Sequence, residues 1–188
     1  MAKDRTIESK VRGERSTPPR RAPRRRAWLI GGGVAVLAAV VVGYFAYRAA
    51  AALPGVSLPD QGNEHIQIET EPHVAYNSDP PTSGPHMPYI APWGIHTEPI
   101  SKELQVHNLE DGGVVVQYDC PSGCPELVDK LKAVVGRYRE QVILAPYPGM
   151  KTRIALTAWT RIDAFADFDE SRIARFIKAY RGIDHHTR

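Results

Sequence analysis

The chain is poor in cysteine: two among 188 residues, confined to Cys120–Pro121–Ser122–Gly123–Cys124–Pro125. At most one intrachain disulfide can form, so a multiply cross-linked secreted scaffold is excluded. No internal repeat is visible, which removes solenoid and propeller architectures. Nothing resembles a nucleophile elbow, so a hydrolase triad composed of Ser83, His107 and Asp111 has no local support. Charge is missing from one place above all. Ala27–Tyr47, 21 residues, carries no charged side chain and is bracketed by Arg24–Arg25–Arg26 and Arg48.

That run predicts a membrane helix. Its length would be about 31 Å, against a hydrocarbon core of about 30 Å. A helix also satisfies its own backbone groups in lipid. Trp28, Tyr44 and Tyr47 fall near the two ends, where amphipathic rings favour the interface. Residues 1–26 hold ten Lys/Arg and three Asp/Glu, a net of +7. Residues 49–188 hold 13 Lys/Arg and 18 Asp/Glu, a net of −5. The basic flank places the N-terminus in the cytoplasm and the acidic remainder outside it. Its position beside the bilayer assigns the basic tail to topology and anionic lipid, and nucleic acid is not an expected partner. Ala49–Ala52 would suit signal-peptidase cleavage, but the apolar run is longer than a typical signal core, which favours an uncleaved anchor.

The expected organisation is a disordered basic cytoplasmic tail over 1–26, a transmembrane helix over 27–47, a linker over 48–62 and an extracytoplasmic domain over 63–188. Seven prolines between Glu71 and Pro99 argue against regular structure there, while Tyr76, Tyr89, Ile90, Trp93 and Ile95 are too apolar for a disordered linker. An ordered loop wrapped on the core is predicted. His65–Glu69 alternates like a short strand, and Val114–Tyr118 is the best strand in the chain. A helix starts at Pro125 with apolar residues continuing to Tyr138; Val142–Ala145 and Arg153–Thr160 read as strands, and Ile173–Tyr180 as a last amphipathic helix. The order strand–helix–strand–strand–helix predicts an α+β fold, a small sheet with helices packed on one face.

Two groups of residues could carry chemistry. Cys120 and Cys124 sit where a strand ends and a helix begins, so the helix dipole would lower a thiol pKa. Metal ligation, redox exchange and a structural disulfide are all open, and an oxidising compartment favours the disulfide. His86 and His107 lie at glycine-flanked loop positions, with Glu110 and Asp111 just before Gly112–Gly113. Imidazoles and carboxylates suit zinc or copper, so His86, His107, Glu110 and Asp111 form the candidate metal or ligand site. The competing reading is that both histidines only hydrogen-bond loop carbonyls. His185 and His186 read as a frayed terminus, and His65, His73 and His96 have no supporting context.

The segment Cys–Pro–Ser–Gly–Cys–Pro–Glu–Leu at 120–127 resembles the thiol motif of Sco-type copper chaperones, whose distal histidine could be matched only to His185 or His186. A wider resemblance covers about 72–183. It is carried by Tyr76–His86, Ala91–Pro92–Trp93–Gly94, His107–Asn108–Leu109–Glu110, Ala155–Trp159 and the last helix. On these residues the chain resembles the uncharacterised bacterial domain-of-unknown-function family numbered 3105. The resemblance implies an extracytoplasmic, often membrane-anchored domain with no established activity. The family pattern reads His–x–Leu–Glu–His–Gly, and here its second histidine is Asp111. The paired cysteines are not part of that pattern. The expected function is therefore a membrane-anchored extracytoplasmic domain that binds a transition metal or small ligand, with membrane lipid and a cell-envelope protein as partners. A structural or protein-interaction module of the envelope and a thiol–disulfide redox protein are the alternatives. Binding rather than catalysis is expected.

Overall fold

The computed structural model describes residues 37–45, 48 and 52–186. The chain divides into two compact units, Met1–Ala52 and Leu53–Arg188. In the first, 37–45 is helical. The expected tail and most of the expected span over 27–47 lie outside the described residues, and among those described no helix is long and apolar enough to cross a membrane.

The second unit is built on one mixed six-stranded sheet. Its elements are β1 (Val56–Ser57), β2 (Gly94–Ile95), α1 (Lys102–Glu110), β3 (Val114–Tyr118), α2 (Pro125–Val135), β4 (Val142–Pro146), β5 (Ile154–Ala158), β6 (Arg161–Phe165) and α3 (Glu170–Tyr180). The strand order is β1-β6-β5-β3-β4-β2. β4 pairs in parallel with both β3 and β2. The β3–β5, β5–β6 and β1–β6 pairs are antiparallel. The parallel β3–β4 pair needs a crossover, and α2 supplies it.

Both faces of the sheet are covered, and the expectation of helices on one face is corrected accordingly. On one face Val114, Val116, Val142, Leu144, Ile154 and Leu156 pack against α2 and α3. On the other, Val115, Ile143 and Ala145 pack against Val106 and Leu109 of α1, with Ala91 and Trp159. A strand buried on both sides has no polar face to alternate with, hence the unbroken Val114–Val115–Val116. The helix α1 was not foreseen because its sequence hides it. Gln105, His107, Asn108 and Glu110 are polar yet buried, so no apolar stripe marks the inward face. Ser101 caps its start, the hydroxyl accepting the Leu104 amide at 3.3 Å.

The polar groups of α1 hold the proline-rich loop on the sheet. Asn108 donates to the Ala91 carbonyl and accepts the Ala91 amide, each at 2.9 Å. Gln105 donates to the Ile100 carbonyl at 2.6 Å and accepts from Gln117 of β3 at 2.7 Å. Residues 80–87 are all buried, so the wrapped, ordered loop is what the structure contains. Three other expectations change. The proposed strand at His65–Glu69 is reduced to one parallel bridge, His65 with His86. The strand expected over Arg153–Thr160 is present but shorter, β5 over Ile154–Ala158, and Trp159–Thr160 turns the chain into the unexpected β6, with Thr160 at φ 57°. The stretch expected as a linker supplies β1, whose Val56 pairs with Ile162.

Cys120 and Cys124 form a disulfide across the turn from β3 into α2, with Cys124 at the N-cap and Pro125 in the first turn. A bridge closing so short a loop contributes mainly local rigidity. The core carries the stability. Phe176 is fully buried and meets the Tyr180 ring edge-on at 4.7 Å. Phe176→Ala is expected to lower the unfolding free energy by about 3–5 kcal/mol in denaturant titrations. Exposed Arg139→Ala should change it by less than about 0.5 kcal/mol.

Candidate metal centre

Three separate segments converge at the C-terminal end of α1. His107 and Glu110 are three residues apart on that helix and therefore share a face. The buried loop brings His86, and the bridge between His65 and His86 aligns His65 beside it, with the Ile66 amide bonded to the His86 carbonyl at 2.9 Å. The C-terminal segment closes the third side. The Gly182 amide donates to the Gly112 carbonyl at 2.8 Å and the His185 amide to the Glu110 carbonyl at 2.9 Å. Glycine at 112 is required here: φ is +75°, and a Cβ would stand 2.7 Å from the Ile183 nitrogen.

The carboxylate of Glu110, fully buried, lies at the centre. Its Oε2 is 2.9 Å from His86 Nε2, 3.8 Å from His65 Nε2 and 3.9 Å from His107 Nδ1. Its Oε1 accepts from Asn63 Nδ2 at 2.6 Å. One donor atom from each of His65, His86, His107 and Glu110 can be chosen so that all lie within 4.8 Å of one another. Tetrahedral zinc with bonds of about 2.0–2.1 Å needs donors roughly 3.3 Å apart, a spacing that the measured separations bracket. His107, Asp111 and His186 make a second group within the same limit.

The hydrogen bonding settles one tautomer. His86 Nδ1 is 2.7 Å from the Gly84 carbonyl oxygen, which can only accept, so Nδ1 carries a proton. Nε2 is thereby the nitrogen directed at Glu110, an orientation typical of a metal-ligating imidazole. His107 is different. Its Nδ1 is buried and has no hydrogen-bond partner among the described residues. Burial, together with His86 and His65 nearby, holds the His107 pKa below the usual imidazole value despite the opposing pull of Asp111 and Glu110. The ring is thus kept in the neutral form that can donate a lone pair to a cation. His186 is exposed and shifted the other way, its pKa raised by the hydrogen bond to Asp184 and by Glu110 and Asp111.

All four sequence-derived site residues, His86, His107, Glu110 and Asp111, meet in this region. His107 and Glu110, however, are on a helix rather than in a loop. Two participants were missed. His65 has no motif around it, and its bridge to His86 is what places it beside the group. His186 appeared to be a frayed end, but the return of the chain past Gly112 carries it back to α1. His73 and His96 stay outside, bonded to the Val74 and Pro92 carbonyls. Ser83 is buried, and its hydroxyl accepts the Gln61 amide at 3.0 Å. The cysteines follow Tyr118, the last residue of β3, whereas the histidines gather before Val114, its first. Five strand residues, roughly 13 Å, separate the two ends.

Residues 67–187 match the family described as a protein of unknown function, DUF3105. The chain belongs to that family. No curated protein and no solved structure matches it. The match to DUF3105 spans His86, His107 and Glu110 but begins two residues after His65. The likeness of residues 120–127 to Sco-type chaperones has no counterpart in these comparisons. The histidines it would require, His185 and His186, sit at the far end of β3 from the disulfide.

The two shifted histidines give opposite pH effects in the metal-free protein. Unfolded His107 takes up a proton near pH 6.5 that the folded site refuses, so its contribution to stability is present above that value and is lost as pH falls through the lowered folded pKa. The His186 contribution is present below about pH 6.5 and fades as pH rises through its raised folded pKa. Melting temperatures of metal-free protein between pH 7 and 5 should show an acid-side decline that His107→Gln flattens. An equal decline in that variant would assign the effect elsewhere.

Proposed function

We propose that this DUF3105 protein binds a divalent transition metal, zinc or copper(II), through His65, His86, His107 and Glu110, as a membrane-anchored domain facing out of the cytoplasm. The observation that carries the reading is the buried His107 Nδ1, without a hydrogen-bond partner among the described residues, beside Glu110 in a group of four potential ligands. Histidines that only pinned the loop would spend their ring nitrogens on loop carbonyls, as His86 Nδ1 does. A buried polar atom without a partner costs free energy, about 1–3 kcal/mol, that a bound cation recovers. Three imidazoles and a carboxylate, with no thiolate, suit zinc and copper(II). Four protein ligands fill a tetrahedral shell, which favours retention of the ion over hydrolytic catalysis at an open position.

Asn63 on Glu110 Oε1 and the Gly84 carbonyl on His86 Nδ1 would orient the two most buried ligands. His65, the exposed member, offers the entry side for an ion. The charge-free run at 27–47 between basic flanks supports the anchor, and the acidic remainder supports the outward face.

Calorimetry and thermal denaturation of the full chain with zinc or copper(II) test the reading. Binding should stabilise the fold by about 2.7 kcal/mol when free metal is a hundredfold above Kd. His86→Ala and His107→Ala should each remove that stabilisation. No uptake by the wild-type protein, or uptake indifferent to both substitutions, would sink it.

A further inference from the structure

Two potential ligand groups share a single ring. His107 approaches Glu110 through Nδ1, at 3.9 Å, and Asp111 through Nε2, also at 3.9 Å. The two nitrogens of one imidazole thus face two different carboxylates. His186 Nε2 stands between these carboxylates, 3.4 Å from Asp111 Oδ1 and 3.6 Å from Glu110 Oε2. His186 is itself held: its Nδ1 is 2.8 Å from Asp184 Oδ1, which also accepts the His186 amide at 2.9 Å. A carboxylate on Nδ1 holds a proton there, so Nε2, which faces Asp111, is the nitrogen that would give up its proton to take an ion. This is the outer-shell arrangement that commonly backs a metal-bound histidine. The backbone bonds of Gly182 to Gly112 and of His185 to Glu110 fix the tail that delivers it.

From this arrangement we infer that the domain holds a second divalent ion, bound by His107 Nε2, Asp111 and His186 Nε2, with His107 bridging it to the first. The inference rests on the proposed four-ligand site, since a bridge needs an ion on each side. The ring of His107 releases its one remaining proton to solvent on bridging. The ions would then stand about 6 Å apart, given metal–nitrogen bonds of about 2 Å on either side of the ring. Glu110, Asp111 and the bridging imidazolate supply three negative charges against four positive ones. The second site has three protein ligands and lies at the exposed end of the cluster, so it keeps a coordination position open to water or a small anion. Asp111 thereby gains a role distinct from that of Glu110.

Metal content and electron paramagnetic resonance of the full chain, loaded with zinc or copper(II) and freed of excess metal, separate the outcomes. Wild type is expected to hold two ions per chain, while Asp111→Asn and His186→Ala each hold one. With copper(II), the wild-type signal should integrate to well under two spins through coupling across the bridge. His186→Ala should give one full uncoupled spin. A wild-type content of one ion overturns the second site while leaving the first intact. If that single ion is weakened by His186→Ala, His186 is a fifth ligand of the first site instead. Two ions with two full, uncoupled spins overturn the bridge. No ion in wild type overturns the four-ligand reading and this inference together.

Discussion

A carboxylate without exposure to water is the constraint on which this end of the molecule is organised. Burying the Glu110 side chain costs several kcal/mol unless its oxygens are paired. The partners come from far apart in the chain: Asn63 on Oε1, and His86 on Oε2 with His65, His107 and His186 around it. Apart from His107, on α1, each partner secures a segment that has little regular structure of its own. Asn63 and His65 anchor the entry to the domain, His86 the proline-rich loop, and His186 the last residues described.

The sheet makes this possible by leaving one of its faces to irregular chain. Two helices cover the first face, while the second is shared between α1 and the loop over residues 71–99. A loop placed on a sheet cannot satisfy its backbone through a ladder, so it depends on buried side chains for hydrogen bonds. Gln105 and Asn108 provide them, and His86 bonds back to the loop that carries it. The polarity that conceals α1 in the sequence is thus what allows the loop to be buried. It also places two metal-competent side chains, His107 and Glu110, where water is excluded.

The two chemistry-bearing motifs of the chain consequently have different surroundings. The disulfide closes the half-exposed turn that leads from β3 into the amphipathic α2, next to exposed residues. The histidines occupy the other end of β3, where burial is polar and one buried nitrogen lacks a hydrogen-bond partner among the described residues. Proximity in sequence, 13 positions from His107 to Cys120, did not translate into proximity in space because a strand runs between them.

The amino-acid sequence by itself determined the strong periodic elements: β3, α2, β4, β5 and α3, where β-branched runs, a first-turn proline and a 3.6-residue apolar repeat act locally. It also marked the proline-rich loop as ordered and singled out His86, His107, Glu110 and Asp111, because residue type and turn context are local properties. It could not show α1, whose inward face is polar, nor the tight turn at Trp159–Thr160 inside what reads as one apolar run. His65 and His186 carry no local signal at all. Their roles arise from a single backbone bridge and from the return of the C-terminal segment against Gly112. Tertiary structure alone decided that His65 and His186, 121 positions apart in the chain, face one carboxylate, Glu110, and one ring, His107. Only long-range packing can bring such donors within coordinating distance.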